Sequence, residues 1–477
     1  MSASSRLIVV GNGMAGVAAI EEVIKKSSPP AITVFGGEPH VNYNRILLSD
    51  VIACAKTFDE IYLNTRQWYE DHKIGLHTNV FISGIDLDQK RVTTKDGDAY
   101  GYEQLLIATG SSPFIPPIQG LNKAGVFTFR NIEDTEGMIR WASQNSRAVV
   151  IGGGLLGLEA ARGLTNRGMA VTVVHLMNHL MEQQLDERAG GILKTEIEKM
   201  GIAVQLSCTV EEVLGDGKVE AVRLTTGETI ETDLVLITAG IRPNMKLAKE
   251  AGLAVNRGIV VNDYMETGHP EIYAIGECIE HRGKTYGLVG PILEQAKVAA
   301  DAIAGEREKV YQGSVLSTTL KVAGIHLTSM GDFLGRELGS EELVYMDAGM
   351  ATYKKLVIWN KRVVGAIFLG EAGGSQEARE MIESSRDISA LRTRLLTGSG
   401  DSEKSGDPAA LPDTTLICNC NTVTKGEIVC AIREKNCKTR EGIADCTRAT
   451  TGCGSCTTLV EQLLSAILEA STDTAVA

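Results

Sequence analysis

Four cysteines in two close pairs and six glycines in two loops are the residues whose types and spacing could do chemistry in this chain. Cys418 and Cys420 stand one residue apart, Cys453 and Cys456 two apart, and 32 residues separate the pairs. Four thiolates suit a tetrahedral zinc ion or an iron-sulfur cluster, since both accept coordination by four cysteines. The choice turns on the glycines. Gly11, Gly13 and Gly16 fit G-x-G-x-x-G within LIVVGNGMAG, and Gly152, Gly154 and Gly157 repeat the pattern within AVVIGGGLLGLEAA. In such a loop the first glycine permits the tight turn, the second lets a pyrophosphate approach the backbone, and the third lets the helix pack on the strand. The helix that follows then turns its unpaired N–H groups toward the phosphate. Two such loops imply two dinucleotide sites. Beside them a redox-inert zinc has no evident purpose, while a one-electron carrier completes a path from hydride to acceptor.

The ribose ends of the two sites differ. A strand over residues 31–36 leads to Glu38, where an acidic residue meets a ribose hydroxyl. The strand over 170–174 leads instead to His175, and Arg162 and Arg167 fall too early to serve as 2'-phosphate ligands. Coenzyme preference stays open, with a lean to NADH because no basic cluster follows that strand. The other cysteines read differently. No C-x-x-x-x-C pair occurs near residues 42–50, which opposes a disulfide reductase, and the lone Cys54 reads as a small buried hydrophobe. Cys430 falls on the apolar side of an expected helix and reads as core. Cys437 and Cys446 have no assigned role, and a ligand set that includes Cys446 is an alternative.

The elements that must position these residues follow from length and pattern. A chain of 477 residues exceeds one core and suggests about three domains. A net charge of -13 argues against nucleic acid and favours a docking protein with a basic face. No apolar run approaches a membrane span, and the first strand begins too near Met1 for a secretory signal, so a cytoplasmic setting is expected. A helix over 15–25 follows the first loop, and residues 57–100 read as short strands and turns. A strand beginning at Leu105 runs into Ala108-Thr109-Gly110 and a proline-rich exit, the kind of stretch that crosses between domains. Residues 234–244 read as the crossing back, and a strand over 271–280 carries Gly276-Glu277 before a helix that reaches Gly305. Residues 311–370 turn β-rich, with a hairpin about Asn360-Lys361 and a helix over 375–396. Residues 397–413 contain one large apolar residue, Leu411, and read as a linker. Capping boxes are expected at Thr424/Glu427 and Thr458/Glu461. A helix starting at Thr457 or Thr458 would aim its positive end at an anionic cluster.

Taken together, GNGMAG, YNRILLS, ATGS, GGGLLGLEAA, HLMEQQLD, AGIRPN and IYAIGEC resemble the two-dinucleotide flavoprotein family of ferredoxin and rubredoxin reductases over residues 6–396. Within it the chain is similar to the flavoprotein portion of NAD(P)H nitrite reductases and to electron-transfer subunits of assimilatory nitrate reductase. The tail, CNC with CGSC, resembles the [2Fe-2S] domain of bacterioferritin-associated ferredoxin. The resemblance implies an α/β fold of two Rossmann-like dinucleotide-binding domains (FAD and NAD), a small α+β domain and a small helical [2Fe-2S] domain. The expected boundaries are 1–113 with 242–310 for FAD, 114–241 for NAD(P)H, 311–396 for the α+β domain, 397–413 for the linker and 414–470 for the cluster. It implies FAD at Gly11, Gly13, Gly16 and Glu38, with Arg45, Thr109, Gly110, Gly276 and Glu277 near it, Glu277 standing where many relatives have aspartate. It implies NAD(P)H at Gly152, Gly154 and Gly157, with Glu159 as the catalytic candidate turned toward nicotinamide or flavin. Asp50 stands where some relatives place a flavin-tuning lysine. The cluster ligands are Cys418, Cys420, Cys453 and Cys456. Nitrite reductase large subunits continue into a siroheme domain beyond the counterpart of Ala477, so this chain is not expected to reduce nitrite itself. The expected activity is transfer of electrons from NADH through FAD and [2Fe-2S] to a partner protein. A nitrate reductase catalytic subunit comes first, a ferredoxin or rubredoxin next. An NADH oxidase with a structural or regulatory metal-binding tail is the reading from another class. Neither nucleic acid nor membrane is an expected partner, and oligomeric state is left open.

Overall fold

The computed structural model describes residues 6–314, 317–322, 325–371, 373–392, 408–418, 421, 423–451, 454 and 456–473. The chain divides into two compact units, one of residues 1–48, 56–114 and 240–314, the other of residues 49–55, 115–239 and 315–477.

The first unit is built on a parallel five-stranded sheet ordered Ile272–Ala274, Gln104–Ile107, Arg6–Val10, Ala31–Phe35 and Gly75–His77. Its central strands are apolar on both faces, as a parallel sheet covered by helices requires. Leu7, Ile8, Val9, Leu105, Leu106 and Ile107 are fully or almost fully buried there. The helix Met14–Val23 buries Val17, Ala19, Ile20 and Val23 on one side and packs on the helix Val289–Ile303. A three-stranded antiparallel meander, Ile82–Asp86, Arg91–Thr94 and Ala99–Gly101, lies in the same unit. Residues 57–100 also hold a helix absent from the sequence reading, Arg66–Asp71, capped by Thr65 accepting from the Trp68 N–H at 3.2 Å. One turn of helix is too short for a clear apolar period.

The second unit repeats the design. Its parallel sheet runs Ala203–Gln205, Ala170–Val174, Arg147–Ile151, Leu234–Ile237 and Val126–Thr128. It too has an antiparallel meander, Val210–Leu214, Ala221–Leu224 and Thr229–Glu231, with a register shift near the start of its first strand as in the first unit. Beyond residue 316 an antiparallel sheet follows, ordered Ser317–Val322, Ile325–Gly331, Arg362–Gly370, Thr352–Trp359 and Glu341–Asp347. Its hairpin turns at Asn360 and Lys361, both at positive φ (47° and 63°), the pair of conformations a two-residue type I' turn needs. Of the helix expected over 375–396, Ser375–Ser384 forms, and residues 393–396 lie outside the described residues. Ser385 turns left-handed at φ 49° and ends it.

The last segment has its own core of Ile417, Ile428, Ile432, Ile443, Val460, Leu463 and Ile467. Three helices, Lys425–Arg433, Arg440–Thr447 and Thr457–Asp473, surround it. The expected box at Thr424 forms: its side chain accepts from the Glu427 N–H at 3.3 Å, and Glu427 accepts from the Thr424 N–H at 2.8 Å. The second box does not. The last helix already begins at Thr457, so Thr458 sits inside its first turn and cannot cap it. Part of the expected linker, 397–407, lies outside the described residues. Residues 411 and 413 are tied to this segment through Lys425 Nζ, which donates to the Leu411 carbonyl at 2.6 Å and pairs with Asp413 at 3.1 Å.

Candidate nucleotide and cluster sites

Sterics at the two glycine loops are nearly identical. Gly11 and Gly152 turn at φ +121° and +120°, and a Cβ at either would stand 2.1 Å from the Ala108 carbonyl oxygen or 2.5 Å from that of Thr238. A Cβ at Gly16 or Gly157 would lie 2.0 Å from the carbonyl oxygen of Gly11 or Gly152. These four glycines are fixed by backbone contact. Gly13 and Gly154 differ, since a Cβ there meets nothing within 4 Å. Each is the N-cap of its helix, in extended conformation and with no side-chain cap, whereas Thr65, Asn131, Asp186, Thr424 and Thr439 all cap theirs. The first N–H groups of the helices Met14–Val23 and Leu155–Asn166 thus face open space beside a glycine, which is what an incoming pyrophosphate needs.

Around the first loop the structure brings together the residues singled out in the sequence. Gly11 abuts Ala108 and Thr109, and Gly276, at φ +87°, abuts Ala15 of the helix so closely that a Cβ would lie 2.8 Å from that side chain. The buried Gln295 accepts from the Gly276 N–H at 2.9 Å and holds that turn. Glu277 accepts from Ser111 Oγ at 2.7 Å. Thr109 and Gly110 are clamped by Asn244: Thr109 Oγ1 donates to its carbonyl at 2.8 Å, and its N–H donates to the Gly110 carbonyl at 2.9 Å. Glu38 pairs with Arg45 and accepts from Tyr43 OH at 2.7 Å. Burial works against the charge on Arg45, but Tyr43, Glu38 and Glu277 outweigh it and push the guanidinium up from its ordinary value. A polar atom is left over. Asn12 Oδ1 accepts from Tyr69 OH at 2.8 Å, while its buried Nδ2 has no hydrogen-bond partner among the described residues. An unmet donor inside the glycine loop is costly unless an acceptor arrives, and a dinucleotide phosphate is such an acceptor. The residues present fit FAD.

At the second loop Gly153 stands in place of Asn12, and its backbone donor is met. His175 Nδ1 accepts from the Gly153 N–H at 3.0 Å, so the ring proton sits on Nε2 and is donated to Glu182 at 3.0 Å. That bond, ahead of opposing burial, holds the Glu182 carboxyl below the usual range. A carboxylate therefore stands at the end of the second strand after all, reached through histidine. Glu159 lies in the second turn of the helix, half-buried. Asn12, Asn244, Gln295 and Glu182 were not singled out from sequence. The motif strings contain three of them, but only the tertiary contacts give them partners.

Of the four expected cluster ligands, Cys418 and Cys456 are buried in one core. Cys420 and Cys453 lie outside the described residues. Two buried cysteine sulfurs in one core suit the soft thiolate ligation that an iron-sulfur cluster takes. Two cysteine expectations are corrected. Cys54 is exposed, at φ 62° beyond the helix Leu48–Ile52, where a left-handed residue turns its side chain out of the core. Cys430 is half-buried, its thiol donating to Glu434 at 3.2 Å along the helix surface. Among the described residues no helix is long and apolar enough to cross a membrane.

The family model described as pyridine nucleotide-disulphide oxidoreductase matches residues 5–302. Two more match further along, the rubredoxin NAD+ reductase C-terminal domain at 317–386 and the BFD-like [2Fe-2S] binding domain at 416–466. The chain is 47% identical to an NAD(P)H nitrite reductase of Bacillus subtilis over 96% of its own length and 57% of that protein's. It is 42% identical to the assimilatory nitrate reductase electron transfer subunit of the same organism, over 96% of this chain and 59% of that one. This chain thus spans less than two thirds of either relative. Among solved structures, NADH:rubredoxin oxidoreductase from Clostridium acetobutylicum superposes with a TM-score of 0.69 at 27% identity, covering 81% of this chain and 97% of that one.

Proposed function

We propose that this chain, which belongs to the pyridine nucleotide-disulphide oxidoreductase family, carries electrons from NADH to the catalytic subunit of an assimilatory nitrate reductase. It is an NAD(P)H-dependent flavoprotein oxidoreductase whose cofactors are FAD, NAD(P)H and a [2Fe-2S] cluster. When bound, the flavin converts a two-electron donor into the single electrons that an iron-sulfur cluster carries.

The observation that carries this reading is the pair of open, uncapped glycine cradles in a chain that also buries Cys418 and Cys456 in one small core. In this reading Gly13 and the Asn12 amide receive the FAD pyrophosphate. Glu38, held by Arg45 and Tyr43, accepts from the ribose hydroxyls, and Thr109, Gly110, Gly276 and Glu277 line the flavin end. Gly154 receives the NADH pyrophosphate, and Glu182, presented by His175, accepts from its ribose and repels a 2'-phosphate. Glu159 orients the nicotinamide. Cys418, Cys420, Cys453 and Cys456 hold the cluster. The donor, NADH, sets the cytoplasm as the working compartment.

The test separates dye from protein acceptor. Cys453→Ser, or truncation after Thr397, should keep NADH-dependent reduction of a small dye and lose most delivery to the nitrate reductase subunit. Wild-type turnover of that acceptor by a variant shown to lack iron would overturn the reading. A higher kcat/KM for NADPH than NADH would overturn the coenzyme assignment. A second acceptor, a nitrite-reducing centre, is favoured by the greater identity to the nitrite reductase, 47% against 42%. Supplying each acceptor to the same reduced protein and comparing turnover decides between them.

A further inference from the structure

Of the seven cysteines beyond residue 415, the electron-transfer reading uses four. Cys430 is engaged locally with Glu434. Cys437 and Cys446 are engaged with each other. Cys437 lies in the connection after the helix Lys425–Arg433, Cys446 in the last turn of the helix Arg440–Thr447, and their sulfur atoms stand 3.0 Å apart. A disulfide bond is about 2.0 Å, so a small side-chain rotation separates the pair from one.

Backbone contacts hold both ends of this juxtaposition. The Cys437 N–H donates to the Ala431 carbonyl at 3.1 Å, and Thr439 caps the second helix by accepting from the Gly442 N–H at 3.1 Å. Gly442 faces Cys437 with a clearance that would put a Cβ 3.6 Å from the cysteine Cβ. Access is asymmetric, Cys437 being 8% exposed and Cys446 open to solvent. The shared hydrogen bond, with burial behind it, pushes the Cys437 thiol up from its ordinary value. The outer sulfur is the one a reagent meets first.

We propose that Cys437 and Cys446 form a dithiol modification site that reacts with low-molecular-weight disulfides of the glutathione class and closes to an intramolecular disulfide. The Cys446 thiolate attacks one sulfur of R–S–S–R, forming a mixed disulfide and releasing R–S⁻. Cys437 then loses its proton and attacks the Cys446 sulfur, displacing the second R–S⁻. The two protein thiols are oxidised by two electrons, and the small disulfide, with two protons, is reduced to two thiols. Excess thiol reverses the sequence. Neither cluster pair takes part, so the site stands whether or not the tail delivers electrons.

The full-length, iron-loaded protein is treated anaerobically with oxidised glutathione, alkylated with iodoacetamide and mapped after trypsin. The expected product is a linked pair of peptides, residues 436–438 joined to 441–448, lighter by two hydrogens than the reduced pair and restored by excess glutathione. Visible absorbance of the cluster is unchanged, and Cys430 is alkylated as before. Cys437→Ser stops at glutathione on Cys446. The proposal is overturned if wild-type Cys446 carries glutathione while Cys437 alkylates normally, if neither cysteine reacts, or if both are protected only in step with loss of cluster absorbance. The wild-type map alone decides should the variant not fold.

Discussion

At the first glycine loop bulk and polarity come from the loop itself, and at the second they come from the neighbouring strand. Asn12 fills the space above Gly36, where a Cβ would meet the asparagine Cβ at 2.8 Å. At the matching positions of the second unit the loop residue is Gly153 and the residue after the strand is His175. A Cβ on Gly153 would lie 2.6 Å from Leu180 Cδ2 and 2.9 Å from His175 Cγ. Large and small have traded places across two paired strands. The glycines that meet backbone are common to both loops, because no neighbour can yield to a side chain there, whereas positions that meet side chains have diverged in compensating pairs. One loop keeps a spare amide donor and the other spends its N–H on a histidine that presents a carboxylate.

The largest effects should come from the shared positions. Gly16→Ala presses a Cβ onto the Gly11 carbonyl and should cost about 3 kcal/mol or more, giving protein that purifies without flavin. Gly157→Ala makes the same clash in the other unit. It should leave FAD bound and slow flavin reduction by NADH roughly 100-fold in stopped flow. Equal loss of FAD in both variants would erase the distinction between the loops. Next comes the traded pair. Gly153→Asn should destabilise by about 1–3 kcal/mol in denaturant melts, and His175→Gly added to it should recover part of that, the approach to Leu180 Cδ2 remaining. A strictly additive double variant would mean that the two residues do not share the space.

Smaller effects read the ligand side. Gly13→Ala and Gly154→Ala have room for the new methyl and should hold stability within about 1 kcal/mol while weakening FAD and NADH respectively, as equilibrium titration would report. Glu182→Gln should narrow the preference for NADH over NADPH by several-fold, about 1 kcal/mol. The smallest effect is acid sensitivity in the first unit. Arg282, then His281, hold Asp263 down to about 2. Its contribution is therefore fully present above the unfolded carboxyl's value near 3.8 and fades as pH falls toward 2. Asp263 is 36% exposed, so wild type and Asp263→Asn should differ by about 0.5 kcal/mol or less at pH 5 and converge near pH 2.

The strand, turn and helix at each loop were legible in the residues because their cause is local: apolar runs, glycines at fixed offsets and a helical period. So were the cap at Thr424 and the Asn360-Lys361 turn. What escaped was set by contacts distant in sequence. Nothing near His175 announces that Glu182 will meet its far nitrogen, and nothing in the spacing of Cys437 and Cys446 says that a loop and a helix end will bring their sulfurs together. Thr458 misled for another reason, since a shift of one residue at a helix end decides whether a side chain caps the helix or lies inside it, and Cys54 was read from residue type, which does not announce the left-handed turn that exposes it.

The strand Ile272–Ala274, at the edge of the first parallel sheet, has a consequence for how the protein is made. It pairs with Gln104–Ile107, 165 residues earlier (272 minus 107). A ribosome moving at ~5–20 residues per second takes roughly ten to thirty seconds to cover that interval. Throughout it the nascent sheet holds an open edge of unpaired backbone groups. The second parallel sheet draws all its strands from residues 126–237, so its last strand leaves the exit tunnel while the first sheet still waits. Translation paused after residue 237 has left the tunnel and before residue 272 has would yield a chain whose later-encoded nucleotide sheet has every strand it needs and whose earlier-encoded one has not.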